Sequence, residues 1–268
     1  MKLHFLGTAA SEGFPALFCR CATCNEARRL GGKNIRTRTS LLIDDVLKID
    51  FPPDTYHHLL RDGLDLAKVR DLFFTHSHSD HLLPGDLRKR LPAFARGCDH
   101  PLQIHANETV LQKLRATVDR ADVLPMHLIH PFEPVEAETA TVIPLPADHD
   151  PKETCLLFHI ERNGQHLLYG HDTGWFPEKT WAWLAGHRLD AAILDCTCGL
   201  APENRSHMGI PAVLATREKL LTLGCLTRET PVVATHFSHG GGLLHPDLEA
   251  TLSPHGIHAA YDGMILNL

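Results

Sequence analysis

Long apolar runs are missing from this 268-residue chain. No stretch approaches the roughly 18–20 residues that a membrane-spanning helix needs, so a helical anchor is not expected. The opening MKLHFLGTAASEGFP has one lysine and a short apolar stretch broken by glycine and serine. It lacks the core of a secretory signal and reads as a first strand, which makes a cytoplasmic location the default expectation. Positive charge is also scarce: 26 Lys and Arg against 32 Asp and Glu give a net charge of −6. A general attraction to nucleic acid or to an anionic membrane is therefore not expected. Low-complexity linkers and short-period repeats are absent, and residues 1–268 read as one domain.

Histidine is abundant, with 21 copies, and there are eight cysteines. Without a secretory signal those cysteines are expected as thiols or metal ligands, not disulfides. Eleven short apolar segments are bounded by Gly, Pro, Asp or Asn and read as strands: KLHFLG, SLLIDD, VLKIDF, VRDLFFTH, LQIHA, TVIPLP, CLLFHI, HLLYGHD, AAILDC, PVVATH and MILNL. Helical spacing appears in DTYHHLLRDG, NETVLQKLRATVD, EKTWAWLAG and IPAVLATREKLLTLG. Asn107 and Pro211 suit helix starts, and Gly186 and Gly224 suit helix ends. The expected class is α/β: two packed sheets, helices outside, and a site at one edge.

THSHSDH follows one of those strands and sets His76, His78, Asp80 and His81 in the pattern H-x-H-x-D-H. In extended backbone, residues two apart point to the same side, so His76 and His78 can grip one cation. A turn after them lets Asp80 and His81 face a second. Imidazole with carboxylate suits zinc, manganese or iron. His149, Asp172 and His236 each follow an apolar strand and complete such a site if one sheet edge gathers them. FCRCATC presents Cys19, Cys21 and Cys24, three thiolates within one turn. That is enough for a structural zinc once a fourth ligand arrives from a distant part of the chain. Asp50, Asp195 and Asp262 stand at strand ends, where they are candidates to orient ligating imidazoles.

Other patterns carry less. Arg88, Lys89, Arg90 and Arg96 in GDLRKRLPAFARG suit an anionic substrate or a solvated helix face equally. LGGK lacks the full phosphate-loop spacing, and SHGGGL has no serine elbow beside it. Cys196 and Cys198 are expected as buried thiols, and the pairs His57–His58 and His255–His258 as surface residues.

With H-x-H-x-D-H followed by later single His, Asp and His, the chain resembles the metallo-β-lactamase-fold hydrolases over nearly its whole length. The resemblance implies an αββα sandwich of two mixed sheets with helices on the outer faces. It implies one metal on His76, His78 and His149, another on Asp80, His81 and His236, and Asp172 bridging them. LGTAASEGFPALFCRCATCNEARR, LPADHD, HDTG, LDCT, THFSH and YDGM further resemble the phosphodiesterases of the carbon–phosphorus lyase pathway, which open phosphoribosyl 1,2-cyclic phosphate. This likeness implies a structural zinc on Cys19, Cys21, Cys24 and His239, and a catalytic role for Asp80 and His207. DCTC departs from that family's usual serine and histidine after the cysteine. The implied cofactors are two divalent ions, manganese or zinc, and one structural zinc. The implied partner is a small phosphodiester, with neither membrane nor nucleic acid, and homodimer formation stays open. Two other readings share the fold: a transfer-RNA 3′-processing nuclease, for which no basic Gly-rich arm is present, and a non-hydrolytic accessory protein of cofactor biosynthesis.

Overall fold

The first half of the chain builds one sheet and the second half builds another. Strands β1 (Lys2–Gly7), β2 (Ser40–Ile43), β3 (Leu47–Ile49), β4 (Asp71–Phe73), β5 (Gln103–Ala106) and β6 (Met126–Leu128) lie side by side in that order, and β14 (Met264–Asn267) returns to pair with β1. The second sheet runs, edge to edge, from β7 (Val135–Glu136) through β8 (Thr141–Pro146), β9 (Leu156–Arg162), β10 (Gln165–Gly170), β11 (Ala191–Asp195) and β12 (Val232–Thr235) to β13 (Ile257–Ala259). In each sheet half of the pairings are parallel: β3 to β6 in the first and β10 to β13 in the second. The structure is a computed structural model that describes residues 1–118 and 120–268.

Alternation along the strands explains the layering. Leu41, Ile43 and Phe73 join the core shared with the second sheet, whereas Leu42, Leu72 and Phe74 join a separate cluster with Val110, Leu111 and Leu114. The last three lie on helix α4 (Glu108–Arg115), which therefore covers the outer face of the first sheet. Trp181 and Leu184 of α5 (Glu178–Leu184), Val213 and Leu220 of α6 (Ile210–Thr222), and Leu248 and Leu252 of α7 (His245–Leu252) pack with the second sheet. The αββα sandwich is thus present as expected. Among the described residues no helix is long and apolar enough to cross a membrane.

All eleven expected strands form, and β6, β7 and β13 are additional short strands at or beside sheet edges. Helices α1 (Ala22–Leu30), α3 (Pro84–Leu87) and α7 add to the four expected, of which α2 (Thr55–Asp62) is the first. Two expectations need correction. His58 is not a surface residue: α2 turns it inward, fully buried, with a ring nitrogen 2.7 Å from Thr37 Oγ1. Cys198 is only half-buried, unlike Cys196.

Candidate metal centre

Six strands deliver the site, each at its C-terminal end. Asp50 follows β3, His76 to His81 follow β4, His149 follows β8, Asp172 follows β10, Asp195 ends β11, and His236 follows β12. Parallel strands end on the same side, which is why residues so far apart in sequence meet. The backbone is bent to allow it. Asp50, Asp172 and His236 have φ of 59°, 56° and 63°, a left-handed conformation that non-glycine residues adopt at a cost.

Two sets of side chains result. His76, His78 and His149 form one, and Asp80, His81, Asp172 and His236 the other; within each set one ligand atom per residue lies within 4.8 Å of the rest. Asp172 faces both sets, with Oδ2 3.4 Å from His76 Nε2 and 2.8 Å from His81 Nε2, and Oδ1 3.4 Å from His149 Nδ1. His76, His81 and His236 Nε2 and Asp172 Oδ1 are buried without a hydrogen-bond partner. Buried lone pairs aimed at one another are costly unless a cation lies between them, so the residues present fit a divalent metal pair. Burial pushes the His76 imidazole well below its ordinary pKa, towards the neutral form that binds metals. Burial also opposes the charge on Asp172, but His236, His76 and His81 outweigh it and hold this carboxyl well below the usual range.

Around the two sets, further residues fix the rings. Asp50 accepts from His81 Nδ1 at 2.8 Å and from the Thr75 N–H at 2.9 Å. Asp195 lies 3.2 Å from His207 Nδ1 and accepts the Thr197 hydroxyl at 2.8 Å, and Thr197 Oγ1 is 2.8 Å from His236 Nδ1. Thr197, one of the two residues of DCTC that depart from the pattern of the family it resembles, therefore links a carboxylate to a candidate ligand. Asp262 does not act in this way: it accepts from Thr8, Thr37 and Arg61, away from the candidate ligands. It lies on the link between β13 and β14, and its bonds to Thr8 and Thr37 make it a brace of the β1–β2 connection instead.

Several contributors were not marked by any motif. Asp150 accepts from His78 Nε2 at 3.1 Å, while His78 Nδ1 points to His149 Nε2 at 3.1 Å. Glu153 takes the Ser77 hydroxyl at 2.6 Å and the Asn107 amide at 3.0 Å, and Lys113 Nζ donates to both Ser77 O and Oγ at 2.8 Å. These contacts clamp the middle of H-x-H-x-D-H to α4. His171, buried beside His81 and His236, bonds Tyr169. The doubled acid in PADHDPKE was the only available signal for Asp150 and Glu153.

His207 stands at the rim, about one-quarter exposed, with Nδ1 3.2 Å from both Asp172 Oδ1 and Asp195 Oδ2. Burial lowers its pKa, but the carboxylates of Asp195, Asp172 and Asp80 prevail and bring it up to about 9. The loop that carries it passes so close to Gly174 that a Cβ there would sit 2.4 Å from Asn204 O, which explains the glycine in HDTG.

The cysteine cluster closes separately. Cys19 and Cys21 Sγ lie 3.6 and 3.5 Å from His239 Nδ1, and Cys24 completes a set of four within 4.8 Å. The Cys24 N–H, at the start of α1, leads the groups that lower the Cys21 pKa to about 6, with His239 next. A thiolate there is favoured, as zinc ligation requires. Two cations of the basic stretch turn elsewhere: Arg90 bonds His100 O at 2.8 Å, and Lys89 lies over Phe94.

Residues 40–237 match the family model described as the beta-lactamase superfamily domain. The chain belongs to this family. A crystal structure of a diphosphatase from the PhnP family aligns over 99% of this chain and 96% of its own, with TM-score 0.78 and 26% identity. Zinc-bound PqqB from Methylobacterium extorquens aligns over the whole of both chains, with TM-score 0.77, and at 19% identity it speaks to the fold alone. An octanoyltransferase of Porphyromonas gingivalis (strain ATCC BAA-308 / W83) is 27% identical across 98% of this chain, which spans only 51% of that protein's length. The fold family includes hydrolases, and divalent metals bind in it.

Proposed function

We propose that the protein is a dinuclear metal-dependent phosphodiesterase that hydrolyses a small, cyclic phosphodiester such as phosphoribosyl 1,2-cyclic phosphate. The convergence of unpartnered, buried His76, His81 and His236 Nε2 with Asp172 Oδ1 is the observation that carries this reading. The likeness to a PhnP-family diphosphatase supports the choice of phosphoryl chemistry. His76, His78 and His149 would hold one ion, and Asp80, His81 and His236 the other, with Asp172 shared; a structural zinc would sit on Cys19, Cys21, Cys24 and His239. Two such ions, when bound, polarise the phosphoryl oxygen and lower the pKa of water to about 7.

The remaining work falls to the chain. Asp50, Asp150 and Thr197 hold the imidazoles in the tautomer that leaves a lone pair facing inwards. The four unpaired atoms are buried, and charge on a transferring phosphoryl group is felt strongly in such low-dielectric surroundings. His207, raised to about 9, is protonated at neutral pH. Its Nδ1 is engaged by Asp195 at 3.2 Å, so Nε2 is the atom that would give a proton to the departing oxygen. General acid help of that kind contributes about 10²–10⁴ in rate.

Hydrolysis of bis(p-nitrophenyl) phosphate tests the reading. Activity should vanish on chelation, return with manganese or zinc, and be nearly abolished by Asp80→Ala. Indifference to all three treatments rules it out and leaves the non-hydrolytic accessory role.

A further inference from the structure

We propose that His159, His166 and His187 form a separate site for a divalent transition metal, on the outer face of the second sheet and apart from both sites above. Strand β9 alternates: Phe158 turns inward and meets Phe73 edge-on at 5.6 Å, so His159 turns outward towards the end of α5. There it is 4% exposed, and neither Nδ1 nor Nε2 has a hydrogen-bond partner. A buried imidazole unpaired at both nitrogens demands an explanation.

Its neighbours supply one. His166, on adjacent β10, lies 5.4 Å away between ring centroids, and His187, just beyond α5, lies 6.0 Å away. His187 is stacked on Trp183 at 3.7 Å, and its Nδ1 donates to Trp183 O at 2.6 Å. That bond settles the tautomer: the Nε2 lone pair of His187 is left for a ligand. Burial, reinforced by His166 and His187, pushes His159 down to about 4, so it is neutral across the physiological range. Among the described residues none of the three forms an ion pair with a carboxylate. The corresponding centroid spacings in the first set of the candidate centre are 4.4 to 4.9 Å. Metal binding would require half-buried His166 and His187 to swing towards His159 while His187 Nδ1 keeps its bond to Trp183 O. Donors that are all imidazole select zinc, nickel or copper over magnesium and calcium.

The test compares the full-length protein with His166→Ala/His187→Ala, and with His166→Gln/His187→Gln, which keeps side-chain bulk beside α5. Each is equilibrated with excess Zn²⁺, desalted and analysed for metal; each is also titrated with Cu²⁺ and followed by electron paramagnetic resonance. Wild type should retain one equivalent more than either variant, and only wild type should show nitrogen coupling from these rings. Hydrolysis of bis(p-nitrophenyl) phosphate should be unchanged. Equal metal content in all three proteins, with identical copper spectra, overturns the proposal. The difference between wild type and the variants does not depend on how many ions the other sites hold, or on the phosphodiesterase reading.

Discussion

Replacing Asp50 with asparagine removes one charge and almost no volume. The carboxylate is fully buried and accepts the Thr75 N–H on Oδ1 at 2.9 Å and His81 Nδ1 on Oδ2 at 2.8 Å. In Asp50→Asn one of those oxygens becomes an NH₂ group. If the amide oxygen stays with His81, the NH₂ meets the Thr75 N–H; if it flips, it meets the imidazole N–H. The first orientation leaves a buried donor unpaired, at a cost of about 1–3 kcal/mol in stability; the second is relieved only if His81 moves its proton to Nε2, the nitrogen that faces the candidate metal set. Loss of a carboxylate behind a metal-binding imidazole lowers affinity about 10–100-fold, or about 1.4–2.8 kcal/mol. Competition against a chromophoric chelator measures the second quantity, and calorimetric unfolding the first. The account expects weaker zinc binding by one to two decades, with phosphodiester hydrolysis restored at high metal. Affinity within twofold of wild type, in a folded Asp50→Asn protein, refutes the claim that Asp50 orients His81 for a metal.

Glu153→Gln should loosen the Ser77 clamp and raise the metal concentration needed for half-maximal hydrolysis about tenfold, with full activity at excess metal; an unchanged metal dependence contradicts this. His239→Ala should release one tightly held zinc and lower the unfolding temperature, as elemental analysis and calorimetry would show; an unaltered zinc content counts against the Cys19–Cys21–Cys24–His239 site. Lys48 is buried, and desolvation, only partly opposed by Asp50, lowers its pKa to about 7. The unfolded chain keeps that proton up to about pH 10.4, so unfolding free energy should rise between about pH 7 and 10 by about 1.4 kcal/mol per unit on this account. Lys48→Met removes the slope: its stability relative to wild type should be greatest near pH 7 and fall by pH 9. Denaturant titrations at the two values check this, and an equal difference at both refutes it.

The site was legible where the residues that build it share a segment or follow a strand. H-x-H-x-D-H announces itself because the period of extended backbone brings His76 and His78 to one side. His149, Asp172 and His236 were readable because apolar strands precede them. His239 was readable only through resemblance, since 215 positions of chain separate Cys24 from it and no local pattern spans them. Asp150, Glu153, Lys113 and His171 were missed because a polar residue that acts through a neighbour leaves no periodic trace. Asp262 and His58 show the converse. A strand-end carboxylate near the closing YDGM looks like an orienting group, and a His pair in a helix looks solvated, until packing sets the direction of each side chain. The additional strands are all short and near edges, where few residues are available to show alternation. Helix α1 was hidden inside the cysteine cluster, whose Cys21 also serves as its N-cap.

Anomalous diffraction from crystals grown with zinc or manganese tests the central claim most directly. Two peaks about 3.5–4 Å apart are expected, one among His76, His78 and His149 and one among Asp80, His81 and His236, with Asp172 touching both. A site without bound metal under those conditions, or peaks that leave Asp172 uncoordinated, would contradict the account.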